Sequence, residues 1–220
     1  MGMDLNYPLT RYVYRPLSRP AAARLARTPV TPIQVSWLSA LFAVAGGLAF
    51  ARQAFVLGVV LVLVGQVTDC IDGDLARISG RTSRSGAYLD SVLDRWTDAA
   101  LIVGLAFADL DAYGAAAAFA LVGASLVSYV RARAQSLGTD CPDGIATRDA
   151  RLLILMVAPL VDRIALGLWL VAVLGAITSI HRMWWSMNAL HRVDSNDRLG
   201  ALRQQTATDP GAAPDAESSA

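Results

Sequence analysis

Val67-Thr68-Asp69-Cys70-Ile71-Asp72-Gly73-Asp74-Leu75-Ala76-Arg77 is followed, after an eight-residue gap, by Gly86 and then by Asp90, Asp94 and Asp98. Leu61-Val62-Leu63-Val64 lies before this stretch and Ala99-Ala100-Leu101-Ile102-Val103 after it, both of hydrocarbon character. Carboxylates therefore stand at the ends of apolar segments long enough to enter a membrane. An ionised Asp at that depth costs about 3 kcal/mol or more unless something compensates it.

Outward from this stretch the chain is apolar throughout. Hydrophobic residues make up 55% of 220 residues and the mean hydropathy is +0.44, above the range of soluble globular chains. The pattern predicts an all-α polytopic membrane protein with six transmembrane helices. Thr31 and Pro32 stand as N-cap and first residue of a helix to about residue 51. Further helices are predicted over about 54–77, 86–108, 112–135, 151–160 and 164–190. The fifth is cut short by Pro159 and Asp162-Arg163. An amphipathic interfacial helix is expected within 8–28, where Arg11, Arg15, Arg19, Arg24 and Arg27 alternate with apolar residues around Pro16 and Pro20. The membrane domain is expected to cover 1–194, with a disordered polar tail over 195–220.

Net charge is only +1, which leaves no polycation for nucleic acid. All nineteen basic residues are Arg, and with six crossings only Arg52 and Arg163 fall opposite the rest. That asymmetry predicts an inner- or plasma-membrane protein with both termini and the acidic cleft in the cytoplasm. No signal peptide is apparent at the N-terminus. Cys70 and Cys141 show no metal-ligand spacing, and His181 and His191 read as interfacial.

On helices, Asp69 and Asp72 (i, i+3) share one face, as do Asp90 and Asp94 (i, i+4). The short link between the two helices makes them antiparallel, so both Asp pairs reach one depth. Four carboxylates in one cleft repel each other, and divalent cations relieve this. An all-oxygen donor set favours Mg²⁺ or Mn²⁺. Gly73 opens an approach to the backbone, Arg77 offers a fork for phosphate, and the helix beginning near Gly86 favours an anion. Together these describe a diphosphate site.

The whole pattern, with all eight fixed positions present, resembles the signature of the CDP-alcohol phosphotransferases, membrane enzymes of phospholipid head-group synthesis. The resemblance implies two metal ions held by Asp69, Asp72, Asp90 and Asp94. It implies a CDP cradle of Gly73, Ala76, Arg77 and Gly86, with Asp94 as the base for an acceptor hydroxyl and CMP as leaving group. It also implies a homodimer. Thr31-Pro32-Ile33-Gln34-Val35-Ser36 is similar to a family segment that carries Asn where Ile33 stands.

Ser128-Tyr129-Val130-Arg131-Ala132-Arg133 ends the fourth helix and Thr147-Arg148-Asp149-Ala150-Arg151 opens the fifth. Arg131, Arg148 and Arg151 are read as holding the phosphate of the acceptor, while Arg133 fits that role and a purely topological one equally. The run Ser128 to Arg133 resembles the phosphatidylinositol phosphate synthases, and the runs Ser91-Val92-Leu93-Asp94-Arg95-Trp96-Thr97-Asp98 and Arg148-Asp149-Ala150-Arg151-Leu152 resemble the di-inositol phosphate phosphate synthases. They imply CDP-diacylglycerol or CDP-inositol as donor and inositol phosphate as acceptor. Glycerol 3-phosphate, as in a phosphatidylglycerophosphate synthase, is the alternative. Asp98 is expected to pair with an Arg inside the bundle. Two other classes share intramembrane Asp residues: a cation transporter, which would not place Arg77 beside them, and an Asp-rich prenyltransferase, which gives no reason for the Gly73, Ala76-Arg77 and Gly86 spacing.

Overall fold

Side-chain caps set the helix starts. The Thr31 hydroxyl accepts from the Gln34 amide at 3.4 Å while the Gln34 side chain accepts from the Thr31 amide at 2.9 Å, a reciprocal box that satisfies two end donors. Ser83, Asp109 and Thr147 each cap a later helix through one side-chain oxygen that accepts an amide of its first turn. The computed structural model describes residues 10, 14–142 and 144–208. These form α1 (Arg15–Leu25), α2 (Pro32–Ala51), α3 (Phe55–Ile78), α4 (Arg84–Ala108), α5 (Leu110–Ser136), α6 (Arg148–Leu160) and α7 (Ile164–Thr208). The helix-ending turn at Gly80 has φ +65° and that at Gly138 has φ +79°, the left-handed region where glycine carries no Cβ penalty.

The all-α membrane architecture stands, but the expected six crossings do not. Among the described residues four helices are long and apolar enough to span: Pro32–Ala51, Phe55–Ile78, Leu110–Ser136 and Ile164–Asn196. α4 has the length but carries Asp90, Asp94, Arg95 and Asp98 along its middle. α6 has 13 residues, about 20 Å at 1.5 Å per residue, against roughly 30 Å of hydrocarbon. The division of Arg residues drawn from six crossings loses its basis with them.

α2 packs on both α3 and α4, α5 packs on α7, and α1 lies along α3. Phe50, Val62, Leu101, Leu105, Leu152, Leu155, Leu168 and Val171 form the shared core. In lipid this core gains little from excluding water, so association depends on close dispersion packing and small residues. Gly47 and Gly104 bring α2 and α4 to backbone contact: a Cβ on Gly104 would run into the Gly47 carbonyl. Gly123 and Gly175 do the same for α5 and α7, where a Cβ on Gly175 would lie 2.8 Å from the Gly123 carbonyl carbon. Leu41, Leu48, Val56, Phe107, Phe119 and Leu166 are exposed on the outside, the surface that faces acyl chains.

Within 8–28, where an interfacial helix was expected, the described helix is α1, Arg15–Leu25. Pro16 sits in the first turn of α1 and Pro20 inside it, while residues 8, 9 and 11–13 lie outside the described ones. At the other end α7 continues to Thr208, so the helix runs through 195–208, where a disordered tail was expected. Residues 209–220 lie outside the described residues.

Candidate active site

Asp69 and Asp72 near the end of α3 meet Asp90 of α4, with one carboxylate oxygen from each lying within 4.8 Å of the others. α2 supports them from the side. Ser36 Oγ donates to Asp72 Oδ2, and Ser39 Oγ donates to Asp69 Oδ1 at 3.4 Å. Three convergent carboxylates with no soft donor among them fit a hard divalent cation such as Mg²⁺ or Mn²⁺.

Asp94 does not join that cluster among the described residues. Its Oδ1 pairs with Arg148 Nη2 at 2.7 Å and its Oδ2 lies 3.6 Å from Arg95 Nη2. Arg148 also donates through Nη1 to Asp69 Oδ2 at 3.0 Å. One guanidinium therefore bridges carboxylates of α3 and α4, and an Arg read from the sequence as an acceptor ligand sits at the edge of the acidic row.

The residues expected to cradle CDP share one cavity. Gly73, Ala76, Arg77 and Gly86 line a space of about 350 Å³ together with Asp72 and Asp90. A Cβ on Gly73 would lie 3.5 Å from Arg77 Nη2, so the guanidinium passes over the bare backbone. Gly86 is the third residue of α4, not its start, and its amide already donates to Ser83 Oγ at 3.0 Å. Ile33, at the position where the resembling segment has Asn, lines the same cavity.

A second cavity of about 410 Å³ opens on the other side of Asp94, lined by Arg95, Arg131, Arg148, Arg151 and Arg182. Of the expected acceptor residues all three are here. Arg151 is nearly fully buried and already engaged, with Nη2 on Asp98 Oδ2 at 2.7 Å and Nη1 donating to the Ala146 carbonyl at 2.8 Å. The Arg partner expected for Asp98 is thus Arg151. Arg133 does not line this cavity and reaches Ser136 Oγ at 3.5 Å.

Several polar residues escaped the sequence reading. Arg182 is buried, donating to the carbonyls of Pro142 at 3.1 Å and Val127 at 2.8 Å; its place within a long apolar run was the available signal. Ser36 and Ser39 sit i, i+3 at the start of α2, a spacing that puts them on one face. Asp74 pairs with Arg77 at 2.7 Å, again i, i+3. Asp149 accepts from the Thr10 amide at 3.2 Å and its hydroxyl at 3.0 Å, tying the segment before α1 to α6. Beside it Tyr14 is 2% exposed, and burial together with the Asp149 carboxylate pushes its phenol up to about 12, so it remains a hydroxyl at any working pH.

The chain matches known proteins along most of its length. The profile of the CDP-alcohol phosphatidyltransferase family matches residues 30–184. The archaetidylinositol phosphate synthase of Pyrococcus horikoshii is 35% identical over 173 residues, covering 78% of this chain and 91% of the relative. A phosphatidylinositol phosphate synthase of Streptomyces avermitilis is 35% identical over 202 residues, 83% of each chain. The crystal structure of the Mycobacterium tuberculosis phosphatidylinositol phosphate synthase with CDP-DAG bound superposes with a TM-score of 0.71 at 31% identity, covering 77% of this chain and 92% of that one. The same enzyme in complex with manganese and citrate gives 0.72 at 30% identity, covering 77% and 88%. The transporter and prenyltransferase readings give way to this match. An integral membrane protein built around this signature, the chain belongs to the CDP-alcohol phosphatidyltransferase family and is a CDP-alcohol phosphotransferase.

Proposed function

We propose that this enzyme transfers the phosphatidyl group of CDP-diacylglycerol to a hydroxyl of inositol phosphate and releases CMP. The observation that carries this reading is the pair of cavities flanking one turn of α4. The donor cavity ends at Asp90 and the Arg-lined cavity begins at Asp94. A nucleotide diphosphate suits the first, with Arg77 as its fork. A phosphorylated, polar acceptor suits the second, where Arg131, Arg148 and Arg151 gather and Arg182 joins them.

In this reading Asp69, Asp72 and Asp90 hold the divalent cation, Mg²⁺ or Mn²⁺, with Asp94 completing the set for a second ion. The bound cations supply charge neutralisation at the pyrophosphate and at the departing CMP. The chain's own residues do the rest. Gly73, Ala76 and Gly86 admit the cytidine diphosphate to the backbone, and Arg77 grips its phosphate. The Arg cavity orients the acceptor so that its free hydroxyl faces Asp94. As the hydroxyl oxygen bonds to the β-phosphorus, the bond to CMP breaks and the hydroxyl proton passes to the Asp94 carboxylate. Two relatives named as inositol phosphate lipid synthases, and the tuberculosis enzyme crystallised with CDP-DAG and with manganese, support the substrate and metal choices. Following the family resemblance, we place the enzyme as a homodimer with the cleft on the cytoplasmic side.

The test is CMP release by purified enzyme with Mn²⁺ or Mg²⁺. CDP-diacylglycerol and CDP-inositol are each paired with inositol phosphate and with glycerol 3-phosphate. Turnover is expected with CDP-diacylglycerol plus inositol phosphate. Preference for glycerol 3-phosphate, or for CDP-inositol as donor, overturns the assignment while leaving the reaction class intact.

A further inference from the structure

Asp74 lies between the fixed positions of the signature, and nothing in the proposed reaction uses it. It is nonetheless buried, and each of its oxygens has its own partner. Oδ1 accepts from Arg77 Nη2 at 2.7 Å, and Oδ2 accepts from Ser18 Oγ at 2.8 Å. Ser18 belongs to α1, 56 residues away in sequence, and is fully buried against α3. The three side chains thus form a chain from the interfacial helix to the donor cavity.

Arg77 needs such an anchor. Its side chain is 59% exposed, whereas that of Asp74 is 10% exposed. An Arg reaching into an open cavity has rotamer entropy to lose on gripping a phosphate. A fixed carboxylate on one terminal nitrogen selects the rotamer in advance and leaves the remaining donors of the fork for the ligand. An i, i+3 pair on an open helix surface would do little. Here the acceptor is held from behind by Ser18, so it stays in place while Arg77 is exposed to solvent.

We propose that Asp74 is a positioning residue for donor binding: held by Ser18 of α1, it fixes the Arg77 guanidinium over Gly73 at the donor cavity. The inference rests on the reading of Arg77 as the residue that grips the donor pyrophosphate. It ties donor affinity to the seating of the interfacial helix, because Ser18 reaches Asp74 only while α1 lies on α3.

The experiment is steady-state CMP release by the full-length enzyme in lipid-detergent micelles, with CDP-diacylglycerol varied at saturating inositol phosphate. Arg77→Gln is expected to raise the donor KM by about tenfold or more. If it does not, the pyrophosphate reading fails and the relay fails with it. With that effect in hand, Asp74→Asn is expected to raise the donor KM about fivefold with kcat and the acceptor KM within about twofold of wild type. Asp74→Glu should recover part of the loss. Ser18→Ala should raise the donor KM about twofold, and Ser18→Thr should leave it unchanged. In the Arg77→Gln background Asp74→Asn should add nothing, since its effect passes through Arg77. A donor KM unmoved by Asp74→Asn, or effects of the two substitutions that multiply, overturns the proposal while Arg77 keeps its role. Should Asp74→Asn fail to fold, the Ser18 pair decides: equal donor KM for Ser18→Ala and Ser18→Thr overturns it.

Discussion

In the proposed reaction Asp94 and Arg148 are the residues on which the chemistry turns. If Asp94 takes the acceptor proton, Asp94→Asn keeps the shape and loses the basicity. CMP release should fall by about 10²- to 10⁴-fold, the usual worth of a positioned base, with an unchanged elution profile in detergent. Activity near wild type would remove Asp94 from that role. Arg148 bridges Asp69 and Asp94 at 3.0 and 2.7 Å, with side chains only 17–22% exposed. Arg148→Gln leaves two carboxylates facing each other without their shared cation. That should cost about 3 kcal/mol, a drop of several degrees in melting temperature, read by scanning fluorimetry. Mn²⁺ should restore more of the loss in the variant than it adds to wild type; an unchanged melting temperature would show that the bridge contributes nothing. The helical spacing of Asp69 and Asp72 made their convergence legible in the sequence. Asp94 was harder, because a four-residue step also moves a side chain about 6 Å along the axis. That displacement takes it past the Asp69–Asp72–Asp90 cluster and toward Arg148, a partner 54 residues on with no local signal.

At the scale of elements, the caps were readable in the sequence. Thr31 with Pro32 marks the start of α2 from sequence alone. Ser83 moves the start of α4 two residues ahead of Gly86, and Thr147 moves α6 three ahead of Arg151; in both cases the capping hydroxyl was present in the sequence and outweighed the apolar pattern. The glycines differ in what surrounds them. A Cβ on Gly104 meets the Gly47 carbonyl, part of a rigid helix backbone, whereas one on Gly114 meets only Leu110 Cδ1 at 3.3 Å. Gly104→Ala should therefore cost about 1–3 kcal/mol through forced separation of α2 and α4. Gly114→Ala should be neutral or stabilise by up to about 1 kcal/mol, because alanine favours a helix interior. Thermal unfolding in one detergent measures both, and equal effects would contradict the packing described.

At the scale of the whole molecule, the polar side chains of α4 and the shortness of α6 account for the difference between six expected crossings and four. The carboxylates and Arg residues that build the site also subtract from the hydropathy of the helices bearing them. α4 reads as a membrane helix by its apolar residues and fails by its charged ones, whereas α6, at 13 residues, fails by its length. Orientation then has to be argued from where charge collects. Arg77, Arg81 and Arg84 surround the turn between α3 and α4 at the mouth of the donor cavity, and Arg19, Arg24 and Arg27 are exposed on or just beyond the α1 helix packed on α3. Each basic residue near an anionic inner leaflet gains about 1 kcal/mol, and retention of short Arg-rich loops on the cytoplasmic side follows the same asymmetry. Thr82, in that turn and exposed, reports on the outcome. With Cys70 and Cys141 replaced by Ser, a Thr82→Cys variant should react with a membrane-impermeant maleimide in inside-out vesicles and stay unlabelled in intact cells. Labelling in intact cells would put the mouth of the donor cavity outside, away from any cytoplasmic CDP-alcohol, and the proposed orientation would fall.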